Sequence, residues 1–465
     1  MSDYEDGAWV EEDMAAVERG EEEEIPHEEE RVRESKKLKR KAQTIQTALQ
    51  IKKSKPGLEN EKQRQAMEMA EAGKNLFITG CAGTGKSWIL QQIIQRSREL
   101  NRVVMVTAPT GTAACNIGGV TIHHAFNVDP KSNSVNSERN AKLWTELELL
   151  VLDEVSMLTP ELLELLDKNA RKHLQVEKPF GGIQVLFCGD FFQLPPVGSD
   201  RLAFESPVWT KLFSGDAGAQ ICLDRIYRQD NPRFIQFLNG VRTGTIDHQF
   251  ASELSADYKR LSEEETYAET HLYLENAKVN ALNNKRLSEL GAVEHRFDAA
   301  IHVLKCPSGK RVEAEAWSNF SGERIVSMAV GAWVILTSNI SVCNGLANGT
   351  KGRVVRFEKS GLPVVCFGNR NVLIRPHIYD VINTKTTRVQ VTQIPLKLAW
   401  AMTVHKSQGQ SIQNLYVDFT KVFQASLAYT ALSRATDPAT LRLANLDRKL
   451  KLKVDQRVLD FYSKF

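Results

Sequence analysis

Three features of this 465-residue chain predict an α/β fold of parallel sheets with a small antiparallel, barrel-like insertion. First, short unbroken apolar runs alternate with helix-length stripes from residue 58 to about 220. Second, one such run leads into Gly80-Cys81-Ala82-Gly83-Thr84-Gly85-Lys86-Ser87, a glycine-rich loop opening a helix. Third, the texture changes between 324 and 394 to β-branched runs punctuated by Asn348-Gly349, Ser360-Gly361 and Gly368-Asn369, and the α/β pattern resumes at Leu396. Strands buried on both faces of a parallel sheet read as continuous apolar runs, whereas glycine-containing dipeptides between β-branched runs mark hairpins.

Charge divides the chain before any element is placed. Sixty Lys and Arg against 57 Asp and Glu give +3 overall, but residues 1–55 hold eleven basic and fifteen acidic groups, leaving +7 on the remainder. Residues 1–30 are acidic, and 31–55 carry the basic clusters Lys36-Lys37-Leu38-Lys39-Arg40-Lys41 and Lys52-Lys53-Ser54-Lys55. Like-charged blocks with few large apolar residues do not offset their ordering entropy, so a disordered tail is expected here. Its basic clusters read as a nuclear-import signal, a nucleic-acid contact or a solvated charge run. With 42% hydrophobic and 25% charged residues the rest is ordinary globular protein, and collagen, coiled coil and wholly disordered chain are excluded. No apolar run reaches the roughly 18 residues of a membrane span, and no signal-peptide order opens the chain, so a soluble protein is expected. Seven scattered cysteines argue against a disulfide framework.

After Pro56-Gly57 the elements follow in order. Leu76–Thr79, Val103–Thr107, Leu149–Leu152 and Val185–Cys188 read as buried parallel strands. Ser87–Leu100 and Pro160–Leu174 read as helices, the second with Thr159 as N-cap and Pro160 at its first position. Trp333–Thr337, Arg353–Phe357, Val364–Phe367, Val372–Ile374 and Arg388–Thr392 are the expected antiparallel strands. The boundaries predicted are a tail (1–55), a first α/β domain (56–220), a second (221–323 with 395–465) and the insertion (324–394).

Chemistry concentrates at strand ends. The 80–87 segment fits GxxxxGK[ST], in which backbone N–H groups cradle phosphates, Lys86 meets the β and γ phosphates, and the Ser87 hydroxyl ligates Mg²⁺. The strand Leu150–Leu152 runs into Asp153-Glu154: one carboxylate for the metal, one to orient a nucleophilic water. A third strand runs into Gly189-Asp190-Phe191-Phe192-Gln193-Leu194-Pro195-Pro196, where Gln193 is placed to sense a γ phosphate. The two phenylalanines suit the core better than base stacking. Tyr227-Arg228-Gln229 and Ala431-Leu432-Ser433-Arg434-Ala435 each carry an arginine that a second domain could deliver onto phosphate. Thr403-Val404-His405-Lys406-Ser407-Gln408-Gly409 is dense in donors suited to a nucleic-acid backbone.

In this order the motifs resemble those of superfamily 1 helicases, and specifically the petite-integration-frequency (Pif) family of DNA helicases. Besides those quoted, the resemblance is carried by Gln63, by Ala108-Pro109-Thr110-Gly111-Thr112-Ala113-Ala114, by Thr121-Ile122-His123-His124-Ala125-Phe126, by Lys178 to Val197, and by Ala428 to Ala435. It covers roughly 58–465 and implies two RecA-like domains with ATP and Mg²⁺ between them. By resemblance Gln63 reads adenine. Gly80, Cys81, Ala82, Gly83, Thr84, Gly85, Lys86, Ser87 and Gly409 hold the nucleotide, with Ser87 and Asp153 on the metal. Glu154 is the base, Gln193 the sensor, and Arg228 and Arg434 the arginine fingers. Pro109, Thr110, Gly111, His123, His405, Lys406 and Ser407 are the implied DNA contacts, with Phe192 and Tyr429 as aromatic platforms. Asn127–Lys142 falls where the family has a small strand-splitting wedge. Cys81 and His124 depart from the residues usual there, and neither touches the chemistry.

The implied activity is ATP-dependent 5′→3′ unwinding of forked or structured DNA, such as G-quadruplexes, in replication, repair or recombination. A monomer acting in the nucleus is expected, with the tail a candidate contact for replication proteins. An RNA helicase of the same superfamily and an inactive accessory module are the alternatives.

Overall fold

Strand β1 (Asn75–Gly80) lies one place in from the edge of a six-stranded, wholly parallel sheet, and its neighbours decide where the chemistry goes. With β2 (Val104–Ala108), β3 (Val120–Thr121), β6 (Leu149–Leu152), β7 (Gln184–Cys188) and β8 (Gly218–Leu223), the spatial order is β3-β2-β6-β7-β1-β8. The glycine-rich loop, Asp190 and Asp153 therefore leave the C-terminal ends of three adjacent strands, β1, β7 and β6, where ligands bind in open α/β sheets. The computed structural model describes residues 60–465 except 130–133, 136, 258–268, 307–311, 321, 339, 342–345, 347–348, 384–386, 423 and 447–449. The tail and its basic clusters lie outside the described residues.

Local sequence explains the helices on this sheet. Helix Pro160–Leu174 starts where Thr159 accepts the Leu162 N–H, and its Leu162, Leu163, Leu166 and Ala170 face inward. Helix Glu61–Glu71 is capped by Asn60, which accepts from Lys62 N–H at 2.8 Å. In the stretch expected to be a wedge, β4 (Val128–Asp129) pairs antiparallel with β5 (Ser134–Val135), and helix Ser137–Glu146 follows. Trp144 anchors that helix: it is fully buried, stacked on Phe126 at 4.7 Å, and donates to Asn169 Oδ1.

The second parallel sheet has four strands, β9 (Thr270–Tyr273), β20 (Ala401–Thr403), β21 (Leu415–Asp418) and β22 (Leu441–Ala444), in the order β20-β9-β21-β22. The antiparallel insertion interrupts it between β9 and β20, and its strands extend beyond the expected 324–394. They run from β10 (His295–Asp298) and β11 (Ala300–Lys305), through β12 (Ile325–Met328), β13 (Trp333–Leu336), β14 (Lys351–Phe357), β15 (Pro363–Phe367), β16 (Arg370–Leu373), β17 (His377–Asn383) and β18 (Arg388–Gln393), to β19 (Leu396–Leu398). They form three sheets, β10-β12, β11-β18-β17 and β16-β15-β14-β13-β19, the last packed on a core of Val334, Leu336, Val354, Val365 and Trp400. The first two strands escaped the sequence reading because β11 is exposed along most of its length, so no buried alternation marks it.

A second correction concerns the C-terminus. The sequence texture places residues 395–465 in the second domain, yet helix Gln456–Tyr462 packs on the first sheet. Phe461 stacks on Phe204 at 4.4 Å and lies 6.1 Å from both Phe77 of β1 and Trp209. Arg457 ties the same helix to Glu205 at 3.0 Å and to the Asp200 carbonyl at 2.7 Å. An amphipathic stripe says that a helix has a buried face, not which domain covers it. Phe461→Ala is expected to lower the stability of the first domain by about 2–3 kcal/mol, the partly buried end of the Phe-to-Ala range. Urea unfolding followed through Trp209 fluorescence checks this; an unchanged midpoint would mean that the helix does not dock there.

Candidate nucleotide and nucleic-acid sites

A cavity of about 420 Å³ lies over the glycine-rich loop, lined by Ala82, Gly83, Gly85, Lys86, Ser87, Glu154, Gln193, Tyr227, Arg228, Gly409 and Arg434. Residues from six separate segments converge here. Gly85 is the left-handed N-cap of helix Lys86–Glu99 and supplies no capping side chain, which leaves the first N–H groups of the helix for a ligand. Lys86 Nζ donates back to the carbonyls of Gly80 at 2.9 Å and Cys81 at 3.0 Å. Thr84 is buried and its hydroxyl donates to Cys81 O, so it shapes the loop from behind.

Two loop glycines are fixed by neighbours from elsewhere in the chain. A Cβ on Gly83 would stand 2.6 Å from Arg228 Cβ, and one on Gly85 would stand 2.8 Å from Gln63 Nε2; both residues have positive φ. Gln63 is thus buried against the loop, and Tyr227, 40% exposed, donates its N–H to Gly83 O at 2.8 Å.

The acidic pair is set by backbone geometry. Asp153 ends β6 and is buried; one carboxylate oxygen accepts the Glu154 N–H at 2.9 Å. Burial first, and the Glu154 charge second, raise its carboxyl well above the ordinary range. Glu154 holds a left-handed conformation (φ 51°, ψ 45°), an uncommon backbone for a non-glycine residue and one that clusters at functional sites. Its Oε2 accepts from Gln408 Nε2 at 3.0 Å, which ties the first sheet to the loop after β20.

Two guanidiniums close the cavity. Arg228 donates to Ser433 O at 3.0 Å, and burial lowers its pKa. Arg434 is almost fully buried and donates to Thr430 O at 2.8 Å and Ser433 Oγ at 2.9 Å. Burial, then the like charge of Arg228, pushes Arg434 down to about 9, so it stays charged at neutral pH. Gln193 lines the same cavity, and its buried Oε1 lacks a hydrogen-bond partner among the described residues.

The predicted DNA contacts divide. Thr110 and Gly111, beside Pro109 after β2, share a cavity of about 330 Å³ with Lys397, Lys406 and Gln410. His405 is exposed and His123 half-buried, the latter with its pKa lowered by burial. Three residues are placed otherwise. Phe192 is 5% exposed, with its ring stacked on Tyr462 at 4.9 Å and covered by Arg242 at 4.0 Å, so no face is open to a base. Tyr429, 1% exposed, accepts the Ala82 N–H at 2.7 Å and supports the phosphate loop from beneath. Ser407 is fully buried and caps its own turn through Val404 O. The core role read for Phe191 and Phe192 agrees with their burial, whereas the resemblance placed Phe192, Ser407 and Tyr429 among the DNA contacts, and a one-dimensional string does not show which side of a turn each side chain takes.

Sequence reading also missed residues that complete the site. Gln229 donates to Ala435 O at 2.8 Å, Gln408 holds Glu154, and Arg242 pairs with buried Asp190 at 2.8 Å. Gln229 and Gln408 sat inside quoted motifs, so their neighbours were the signal; Arg242 belongs to an otherwise ordinary amphipathic helix. Gly83→Ala is expected to weaken ATP-analogue binding about tenfold or more, because the added methyl meets Arg228 and the left-handed backbone resists a side chain. Titration with a fluorescent nucleotide checks it, and unaltered affinity would refute the packing described.

The family model for PIF1-like helicases matches residues 59–251. The chain is 35% identical to ATP-dependent DNA helicase PIF1 of Rattus norvegicus and 34% identical to that of Homo sapiens, each over 89% of this chain and 65% of the relative. It therefore spans just under two thirds of the length of those relatives. Among solved structures it is similar to Pif1 helicase from Candida albicans, with a TM-score of 0.78 and 30% identity over 87% of this chain and 99% of that one. It is also similar to Pif1 helicase from Bacteroides in complex with ADP-AlF3 and ssDNA, with a TM-score of 0.68 and 28% identity over 87% of this chain and 96% of that one. With two parallel sheets, an antiparallel insertion and these motifs at the sheet ends, the chain belongs to the PIF1-like helicase family.

Proposed function

We propose that this protein is an ATP-dependent DNA helicase that moves 5′→3′ along single-stranded DNA and opens forked or structured duplexes during replication, repair or recombination. One observation carries the reading. Two desolvated guanidiniums, Arg228 and Arg434, face a phosphate loop and Glu154 across a cavity that the elements of both sheets line together. Buried like charges beside one another are unfavourable unless an anion joins them, and a triphosphate supplies that anion. The relatives named helicases, and the Bacteroides Pif1 structure with ADP-AlF3 and ssDNA, support ATP and DNA as the ligands.

The residues also fit Mg²⁺: the Ser87 hydroxyl, in the first turn of the helix that follows β1, and the Asp153 carboxylate, just after β6, are hard oxygen donors on the same C-terminal edge of the sheet. These two would hold the ion, which when bound neutralises charge on the phosphates. Lys86 exchanges its two carbonyl partners for phosphate oxygens. Glu154, held by Gln408, orients the attacking water and accepts its proton. Arg228 and Arg434 bind the γ phosphate from the other side, so ATP ties the two parallel-sheet domains and hydrolysis loosens them. Differential affinity of the closed and open states for ATP is then what moves the strand.

Thr110, Gly111, His123, Lys397, His405 and Lys406 offer the strand a sequence-tolerant backbone contact. In this reading the paired strands β4 and β5 and helix Ser137–Glu146 act as the wedge. Nuclear action rests on the basic clusters of the tail. Lys86→Ala and Glu154→Gln are expected to abolish DNA-stimulated ATP hydrolysis while leaving single-strand binding intact; sustained turnover in Lys86→Ala would overturn the reading. Forked duplexes with only a 5′ or only a 3′ tail, in DNA and in RNA, test polarity and substrate, and unwinding confined to RNA or to the 3′-tailed fork would reverse the assignment. Lys406→Ala should weaken single-strand binding on every sequence and reduce the slope of log affinity against log salt by about one; fluorescence anisotropy at several salt concentrations measures it.

A further inference from the structure

Behind the nucleotide cavity lies a second ionic node that the mechanism above does not use. Asp190, fully buried at the end of β7, accepts from Arg242 at 2.8 Å through Nη2 and 3.3 Å through Nε. Arg242 ends helix Pro232–Arg242 and is itself largely buried. Its guanidinium lies 4.0 Å from the ring centre of Phe192, 5.2 Å from that of Tyr462 and 6.0 Å from that of Tyr429. Tyr462, on the C-terminal helix, hydrogen-bonds Thr79 Oγ1 at 2.6 Å, accepts the Phe191 N–H at 3.1 Å and reaches Asp190 Oδ1 at 3.4 Å.

These contacts account for each N–H of the turn that carries Gln193. Phe191 N–H goes to Tyr462, Phe192 N–H to the Asp190 carboxylate at 3.2 Å, and Gln193 N–H to the Asp190 carbonyl at 2.9 Å. The Gln193 side chain lines two cavities, the nucleotide cavity and one of about 250 Å³ beside Arg242, so open space flanks it on both sides. Its Oε1 has no hydrogen-bond partner among the described residues. Although the residue is buried, its backbone is set by the turn, whose three N–H groups are all bound. The same guanidinium faces Tyr429, whose hydroxyl accepts the Ala82 N–H of the phosphate loop and whose next residue, Thr430, accepts from Arg434.

We propose that Arg242 is a positioning residue for ATP hydrolysis: acting through Asp190, with Tyr462 as its second anchor, it fixes the turn that presents Gln193 to the γ phosphate. A buried ion pair is often no more stable than an apolar replacement, so stability alone is a weak reason for a charge here. What it supplies is a fixed direction, because the planar guanidinium combines a two-pronged grip on one carboxylate with stacking against aromatic rings. The C-terminal helix, which contributes Tyr462, thereby becomes part of the catalytic scaffold. The assignment rests on the ATP-hydrolysing function proposed above.

The test uses the full chain with Arg242→Lys, which keeps the charge and loses the fork and the stacking plane, and Tyr462→Phe, which keeps the ring and loses only the hydroxyl. DNA-stimulated kcat and KM for ATP, affinity for a fluorescent nucleotide, and melting temperature are measured together. Arg242→Lys is expected to lower kcat about tenfold and Tyr462→Phe about threefold, each with nucleotide affinity and KM within about twofold of the unsubstituted chain. The double variant should fall no more than about twofold below Arg242→Lys, since both act on one turn. Unchanged kcat in both variants would overturn the proposal, as would losses that merely follow the fraction of folded protein. If Arg242→Lys does not fold, the result with Tyr462→Phe decides. Absence of ATP turnover in the unsubstituted chain would instead strike the proposed function, and this assignment with it.

Discussion

Phosphate has to be met by backbone N–H groups that nothing else occupies, and that requirement governs the architecture around the glycine-rich loop. The loop cannot shelter itself with side chains, so the rest of the chain shelters it. Arg228 fills the space over Gly83, Gln63 the space over Gly85, and Tyr429 takes the Ala82 N–H from beneath. These come from before the first strand, from the segment after β8, and from the helix Ala425–Leu432 of the second parallel-sheet domain. A loop that looks local in sequence is therefore a point where distant segments must arrive together, and the order of strands in the first sheet brings them there.

Electrostatics in this region is managed by distance and by borrowed partners. Asp153 and Glu154 are adjacent in sequence, yet the left-handed backbone at Glu154 turns its side chain away toward Gln408. Arg228 and Arg434 both donate to the residue 433, through its backbone carbonyl and its hydroxyl respectively, which holds the two cations at fixed places despite their repulsion. Asp190 is treated differently: it receives a full guanidinium partner and never faces the cavity. Two acidic strand ends in one sheet thus have distinct uses, one kept for the ligand side and one spent on structure.

Much of this was legible before the structure. The phosphate loop, the acidic pair, Gln193 and the two arginines sit at strand ends or in short turns, where a motif and its geometry are nearly the same thing. The central parallel strands were legible because burial on both faces leaves an unbroken apolar run. The reading failed where the deciding contact is long-range. β11 carries no buried alternation because most of it is exposed, and Ser407 and Tyr429 lie in the right motifs with their side chains turned inward. The helix Gln456–Tyr462 shows an apolar face in sequence, but its neighbours, Phe77 and Phe204, lie more than 250 residues away along the chain. Arg242 gave no signal, because its partner Asp190 was itself read only as part of a turn.

The return of the C-terminal helix to the first sheet has a mechanical consequence. The polypeptide passes from the first sheet to the second after β8 and comes back after β22, so the two sheets are joined by two covalent crossings. A body tethered at one point can swing in any direction, whereas one tethered at two turns most freely about the line that joins them. Relative motion of the two sheets is thereby reduced toward a single rotational degree of freedom, so torque rather than free displacement is the natural description of a force applied between them.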